Sequence, residues 1–307
     1  MTSVWVAVGI GFVLGTVARL AMLRTDFRQY PSYPHGYVSH LALGLIAAFT
    51  GAVVVPALIL EEFTAVTFLV LVAQQFREIR GLERKTLERM EETELVRRGA
   101  GYIEDIAKVF EARNYLTILT ALAASSVALF FQRSAWDLGP VGALAAGTAA
   151  GLGIVLIGKR ALDRQPLGRI AVVREGQVHF KETLLYVDDI LIMEIGLAEG
   201  RDAYERYGRG VVIEPKDDNA RATLANFGQR QAIAHDVSAI LGVRKDVGTP
   251  EFTPLVRLDL DSGRAALAMV PIEPDIEPLL AVVRRVPVIE GARTRPLATR
   301  PGRQAAD

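Results

Sequence analysis

Asp261-Ser262-Gly263 is the triplet whose residue types come nearest to a catalytic motif. Aspartic proteases place Asp-Ser/Thr-Gly after an apolar strand, and two such aspartates share one proton. Leu258-Asp259-Leu260 supplies that setting, but the triplet occurs once, so a protease needs a dimer to bring two Asp261 carboxylates together. The structural alternative is a hairpin turn, because Asp-Ser-Gly between alternating strands puts Gly where positive φ is required. His235-Asp236 is a second candidate. Adjacent helical positions point about 100° apart, so the two form no relay with each other. No second histidine stands at ligand spacing. Asp188-Asp189 with Glu194 offers carboxylates to a divalent ion, against the plainer reading of solvated turn residues. Gly196, Gly200, Gly208 and Gly210 are too scattered for a phosphate loop. Without cysteine there is no thiol chemistry, disulfide or cysteine metal site. These residues assign no metal and no cofactor.

Most of these candidates lie in a half of the chain whose apolar periods alternate. Val211 to Ile213 reads as a strand closed by Pro215. Ala220 to Leu241 reads as a helix capped by Asp217 or Asp218 and ended by Gly242. Leu255 to Leu260 and Ala265 to Val270 read as a hairpin, Asp275 to Arg284 as a helix, and Val286 to Ile289 as a last strand. That order, β-α-β-β-α-β, is the ferredoxin-like, split βαβ arrangement. Before it, Arg169 to Val173 and Val178 to Lys181 read as a hairpin around Glu175-Gly176. Leu191 to Leu197 is too short to cross a bilayer and completes the sheet or docks on the membrane half. The soluble α+β domain is placed at 161–290. The aperiodic Arg- and Pro-rich tail, 291–307, reads as disordered.

The first half is of another kind. Of the 307 residues half are hydrophobic, and mean hydropathy is +0.26. A helix needs about 20 apolar residues to span a bilayer, and Val4 to Leu23, Tyr37 to Leu60, Tyr115 to Phe131 and Pro140 to Gly158 come near or meet that length. Phe63 to Phe76 is a shorter fifth run. No basic residue precedes the first run, while Arg24 and Arg28 follow it, which argues against a cleaved signal peptide. With five spans, the loop 24–36, the loop 77–114 with its nine Lys or Arg, and Lys159, Arg160 and Arg164 share one side, and Arg133 alone marks the other. The positive-inside rule then puts the N-terminus outside and the second half in the cytoplasm. This transmembrane bundle is placed at 1–160. Gly11/Gly15 and Gly147/Gly151 are GxxxG pairs, which pack helices and could join a homodimer. Arg19, His40, Gln74 and Gln75 fall near span ends, where the interface accounts for them. The scarcity of charge inside the spans speaks against a transporter or channel. Lys+Arg and Asp+Glu are both 35, so net charge points to no nucleic-acid partner.

Between the runs Phe63–Phe76 and Tyr115–Phe131, residues 77–98 mix seven basic residues with six Glu, the pattern of a solvated helix. Then follows Tyr102-Ile103-Glu104-Asp105-Ile106-Ala107-Lys108-Val109-Phe110-Glu111-Ala112-Arg113-Asn114-Tyr115, with Ile103, Ile106, Val109 and Phe110 on one helical face. It reads as an amphipathic helix lying on the membrane or on the soluble domain. The hexapeptide Tyr102 to Ala107 resembles the signature of the YIEGIA family, polytopic membrane proteins of endospore-forming bacteria, with Asp105 where the family has Gly. A helix tolerates that exchange, since Asp costs no more than Gly in its interior. The stretches Arg24–Gly36 and Gly228-Gln229-Arg230-Gln231 are similar too. The resemblance implies a membrane location and a link to sporulation, and brings no catalytic residues. Tyr102, Glu104, Lys108, Glu111, Arg113, Asn114, Gln229, Arg230 and His235 are the candidate binding residues. The expectation is a regulatory or scaffold membrane protein whose cytoplasmic domain binds a protein or small ligand. The alternatives are a membrane-tethered aspartic protease using Asp261, and a transporter or channel component.

Overall fold

The computed structural model describes residues 2–27, 34–133, 139–162, 164–245, 252–293, 296–299, 301 and 304. Within the Arg24–Gly36 stretch, residues 28–33 lie outside the described residues. The chain forms two compact units, Met1–Lys85 with Ile106–Asp163, and Thr86–Asp105 with Arg164–Asp307.

The first unit is helical: α1 (Thr2–Phe27), α2 (Pro34–Ile59), α3 (Phe63–Met90), α4 (Ala100–Arg133) and α5 (Gly139–Leu162), with the end of α3 and the start of α4 belonging to the second unit. Among the described residues four segments are long and apolar enough to cross a membrane: Val4–Leu23, Tyr37–Ile59, Ala100–Arg133 and Gly139–Arg160. The fifth run is not one of them, because α3 carries its apolar start straight on into the charge-dense stretch as one helix. Small residues let these helices approach closely. A Cβ at Gly11 would lie 2.7 Å from the Ala121 carbonyl oxygen, and one at Gly147 would lie 2.6 Å from that of Ala124. Gly15 meets Ala48 and Gly151 meets Leu14, so both GxxxG faces are filled within the chain. Arg19 and His40 do not lie at an open interface. Both are buried, with the Arg19 guanidinium 5.2 Å from the Phe110 ring centroid and His40 Nε2 3.7 Å from Glu83 Oε1.

The second unit is built on β-sheets. After a four-residue α6 (Leu167–Ile170) come β1 (Ala171–Gly176), β2 (Val178–Lys181), β3 (Leu184–Val187), β4 (Ile190–Glu194), α7 (Ala198–Tyr207), β5 (Arg209–Pro215), α8 (Asp218–Ala225), α9 (Phe227–Leu241), β6 (Leu255–Leu258), β7 (Ala265–Met269) and α10 (Ile276–Arg285). One antiparallel sheet has the order β1-β5-β7-β6 and a second the order β2-β3-β4. The larger sheet is covered on both faces, which is why β5 and β7 are continuously apolar rather than alternating. Val211, Ile213, Leu267 and Met269 face the core made with α8, α9 and α10. Val212, Ala266 and Ala268 face Leu185, Ile192 and Tyr204 of the smaller layer.

Three expectations change here. Residues 171–176 form no hairpin with Val178–Lys181: β1 pairs with β5 from Ala171↔Pro215 to Gly176↔Gly210, and β2 pairs with β3 instead. The long helix breaks in two at Asn226, whose extended backbone (ψ 124°) and side chain, accepting from Gln229 N–H at 3.2 Å, start α9 afresh. Val286–Ile289 is not a strand, since β1 holds the place beside β5. Its backbone is served by residues 165–167 through Leu167 N–H to Val286 O (2.8 Å) and Val288 N–H to Gln165 O (2.9 Å). In the tail, Glu290–Ala292 and Pro296–Ala298 form short 3-10 turns, and Leu297 N–H donates to Asn219 Oδ1 at 3.3 Å.

Candidate functional site

Most of the buried polar residues of the second unit, Arg98, Asp105, Gln229 and His235, lie where residues 91–105 meet α9. After the 3-10 turn Glu91–Thr93 the chain is extended at Glu94, bends at Leu95 and Val96, and enters the next helix through Gly99, whose φ of +83° suits glycine. Gly99 N–H donates to Glu91 Oε1 at 2.7 Å, and Gly99 O accepts from Tyr102 and Ile103 N–H, opening α4. A side chain at Gly99 would overlap the Gln231 carboxamide, and Gly101 packs its bare backbone against Ile289 and Gly228.

His235 and Asp236, neighbours on α9, hold different points of this segment. His235 Nδ1 stands 2.7 Å from Val96 O. A carbonyl only accepts, so Nδ1 carries the hydrogen and donates. Burial pushes the imidazole down to about 4, with Arg98 adding to the fall and the Val96 bond and Glu91 opposing it. The ring is therefore neutral, and Glu94 Oε2 at 3.4 Å is a polar neighbour rather than an ion-pair partner. Glu94 Oε1 instead faces the buried Arg98 guanidinium at 2.8 Å. The Tyr102 hydroxyl donates to Asp236 Oδ2 at 3.0 Å, and its ring meets His235 edge-on with centroids 6.2 Å apart. Burial pushes the Asp236 carboxyl up to about 6, against the Tyr102 hydrogen bond, Arg98 and Arg164.

One turn on, Asp105 does more than be tolerated in a helix. It is buried, Oδ1 accepts Glu290 N–H at 2.9 Å, and Oδ2 lies 3.1 Å from Arg164 Nη2, which also donates to the Asp105 carbonyl at 3.0 Å. Gln229 closes the arrangement. Fully buried, it donates to Pro287 O at 3.1 Å and accepts Ile289 N–H at 2.9 Å, reading the backbone of 286–289 as a neighbouring strand would.

Of the predicted binding residues, Tyr102, Gln229 and His235 thus come together, with half-buried Glu104 beside them in sequence. Arg230 Nη1 donates to Leu224 O and Ala225 O, closing the end of α8. Lys108, Glu111, Arg113 and Asn114 belong to the other unit, where Glu111 lies 3.9 Å from Arg80 and buried Asn114 donates to Phe110 O. Glu94, Arg98, Asp105 and Arg164 are not marked as site residues by the sequence, and Asp236 only as the neighbour of His235, with no sign of its bond to Tyr102. Charge density hid the first two. Asp105 stood out only as a departure from the hexapeptide.

Asp261 lies exposed in the β6–β7 turn, where its carbonyl accepts from Arg221 Nη2 at 2.9 Å. The carboxylate that organises this turn is Asp259, which accepts from the Ser262 hydroxyl and from the backbone N–H groups of Asp261 and Ser262. Gly263 has a φ of +71°. Asp188 pairs with Arg174 at 2.7 Å, Asp189 with Arg264 at 2.6 Å, and Glu194 accepts from Thr183. Among the described residues no three His, Asp or Glu side chains converge as a metal site.

The family model described as YIEGIA protein covers residues 7–299. A Bacillus subtilis (strain 168) protein bearing the description "Uncharacterized protein YphB" is 43% identical over 286 residues, 93% of each chain. No solved structure matches.

Proposed function

The chain belongs to the YIEGIA family, and on that premise we propose that it is a non-enzymatic regulatory or scaffold protein of the membrane. In this reading the α/β unit binds a protein or small ligand and reports the event to the helical bundle. The carrying observation is the clasp on the family hexapeptide: Tyr102 to Asp236, and Asp105 to Arg164 and Glu290. These bonds hold the first turns of α4, and the same helix continues as an apolar segment long enough to span. A change in the grip on Tyr102 and Asp105 would thus act on the start of a membrane helix. The groups here are used up in holding one another, which suits mechanical coupling better than catalysis.

The same reading takes the bundle as five-spanning, N-terminus outside and α/β unit in the cytoplasm. Exposed Phe63, Phe68, Val70 and Leu71 on the first half of α3 support a lipid-facing role for it. The large sheet is read as ferredoxin-like with its last strand replaced: β1 enters from the N-terminal side at the edge where Val286–Ile289 was expected. A role in sporulation rests on the resemblance of Tyr102–Ala107 and on the relative in a spore-former.

Complementation in a spore-forming host deleted for its own copy tests this. The full chain and Asp261→Asn should restore spore yield. Tyr102→Ala and Asp105→Ala should fail while still fractionating with membranes. Loss of spore yield in folded Asp261→Asn would replace the regulatory reading with the protease.

A further inference from the structure

The start of the α/β unit carries an unbalanced group of cations. Arg169, Lys216, Arg284 and Arg285 are all exposed. Three of them meet at α6: Lys216 Nζ donates to Gly168 O and Arg169 O at 3.0 and 3.1 Å, and Gly168 packs on Arg284, with Arg285 next to it at the end of α10. Arg284 Nη2 donates to Val173 O at 3.0 Å. Each bonded member is thus anchored to backbone carbonyls, which leaves its charge uncancelled. Among the described residues none of the four has a carboxylate within ion-pair distance. Of the acidic residues nearest to Lys216 in sequence, Glu214 pairs with Arg174 at 2.8 Å, and Asp217 and Asp218 open α8, where Asp217 accepts Ala220 N–H. Asp259 and Asp261 share this end of the sheet but lie beyond β5, in the β6–β7 turn.

The chain tethers this patch. The last apolar segment ends at Arg160 and α6 begins seven residues later, at Leu167. At roughly 3.3–3.6 Å per extended residue, Leu167 stays within about 25 Å of the end of that segment. Exposed unpaired cations held so near a bilayer meet the negative potential of anionic headgroups.

We propose that Arg169, Lys216, Arg284 and Arg285 form a contact surface for an anionic lipid leaflet, through which the α/β unit rests on the membrane that anchors it. Binding of this kind is electrostatic, additive in charge and weakened by salt, with each cation near the surface contributing on the order of fivefold.

The inference uses only that part of the functional reading in which α5 crosses the bilayer. Because the chain has no cysteine, full-length Asp218→Cys can carry a single fluorophore beside Lys216, reconstituted in vesicles that contain a headgroup quencher. Quenching should be several-fold stronger in vesicles with phosphatidylglycerol than in phosphatidylcholine alone. It should fall in 0.5 M salt and vanish in Arg169→Gln/Lys216→Gln/Arg284→Gln/Arg285→Gln. The same label at Glu273→Cys, at the opposite end of the sheet, should show no lipid dependence. Equal quenching in both lipids, or no response to salt in the otherwise unaltered chain, overturns the proposal without reference to any variant. Loss of quenching with millimolar inorganic phosphate at constant ionic strength would assign the patch to a soluble anion instead. Flotation of every sample with its vesicles separates a failed patch from a failed span: a chain that does not float contradicts the membrane reading itself.

Discussion

The Tyr102 hydroxyl donates to the Asp236 carboxylate at 3.0 Å, joining positions separated by 134 residues of chain. The bond ties the family hexapeptide to α9, with Tyr102 buried and Asp236 half-buried. A buried acceptor that loses its donor costs about 1–3 kcal/mol, more than the bond itself contributes. Tyr102→Phe should therefore lower the stability of the α/β unit by that amount and speed proteolysis within residues 86–105. In combination with Asp236→Asn the losses should be less than additive, since either change breaks the same bond. Denaturation of the four members of this cycle in mild detergent measures the coupling. Strict additivity would show that the two side chains do not depend on each other.

His235 and Asp236 have opposite linkage to pH. The imidazole is held at about 4 when folded, so the unfolded chain binds its proton first, and stability from this group is lost as pH falls from about 6.5 towards 4. The carboxyl is held at about 6 when folded, so the folded chain binds its proton first, and stability from this group is gained as pH falls through about 6 towards 4. The two partly cancel. His235→Asn keeps a donor for Val96 O and removes the first contribution. The difference in melting temperature, variant minus unaltered chain, should grow as pH is lowered from 7 to 5. A difference constant with pH would mean that His235 is not held neutral.

Much of this arrangement is legible in the amino-acid sequence. The apolar runs point to five spans, of which four stand as segments long enough to cross, and Asp217 marks its helix start, where it accepts Ala220 N–H; the second start, at Asn226, is not read from the sequence. Strand partners were not legible. β1 and Val286–Ile289 are both short and apolar, and only the six-residue register with β5 decides which joins the sheet. The clasp was half legible: aromatic and imidazole side chains drew notice at Tyr102 and His235. Nothing local shows that Arg98 or Asp105 is buried, because burial of a charge depends on partners far along the chain.

Asp105 illustrates how tertiary partners outweigh propensity. By helix propensity alone Asp105→Gly should be close to neutral. In this chain it removes the acceptor for Glu290 N–H and leaves Arg164, already mostly shielded, without its carboxylate. Breaking a buried pair from one side costs about 3–5 kcal/mol where shielding is complete, so a loss of at least about 2 kcal/mol is expected here. Adding Arg164→Gln should return part of it by removing the unpaired charge. Calorimetric unfolding of the two variants makes the comparison, and a neutral Asp105→Gly would show that the pair contributes nothing.

Gly99 separates backbone demand from side-chain crowding. Its φ of +83° is costly for any L residue, by roughly 1–2 kcal/mol, and its missing Cβ makes room for the Gln231 carboxamide. Gly99→Ala should destabilise by about that backbone cost. Gln231→Ala added to it should restore little, because Gln231 can swing aside but φ cannot change without moving the start of α4. Full rescue by Gln231→Ala would assign the cost to crowding.

The β6–β7 turn distinguishes its two aspartates. Asp259 accepts from Ser262 Oγ and from two backbone N–H groups, whereas Asp261 contributes its carbonyl to Arg221 and keeps an exposed side chain. These hydrogen bonds hold the Asp259 carboxyl below its ordinary range, the bond from Ser262 being the foremost cause. Asp259→Ala should therefore loosen the hairpin, and faster amide exchange at Gly263 and Arg264 would report it. Asp261→Asn should change stability by no more than about 0.5 kcal/mol, as expected of an exposed position with no side-chain bond among the described residues. If instead Asp261→Asn loosened the hairpin and Asp259→Ala did not, the turn would be organised by the Asp of the Asp-Ser-Gly triplet, and the protease-like setting of Asp261 would regain its interest.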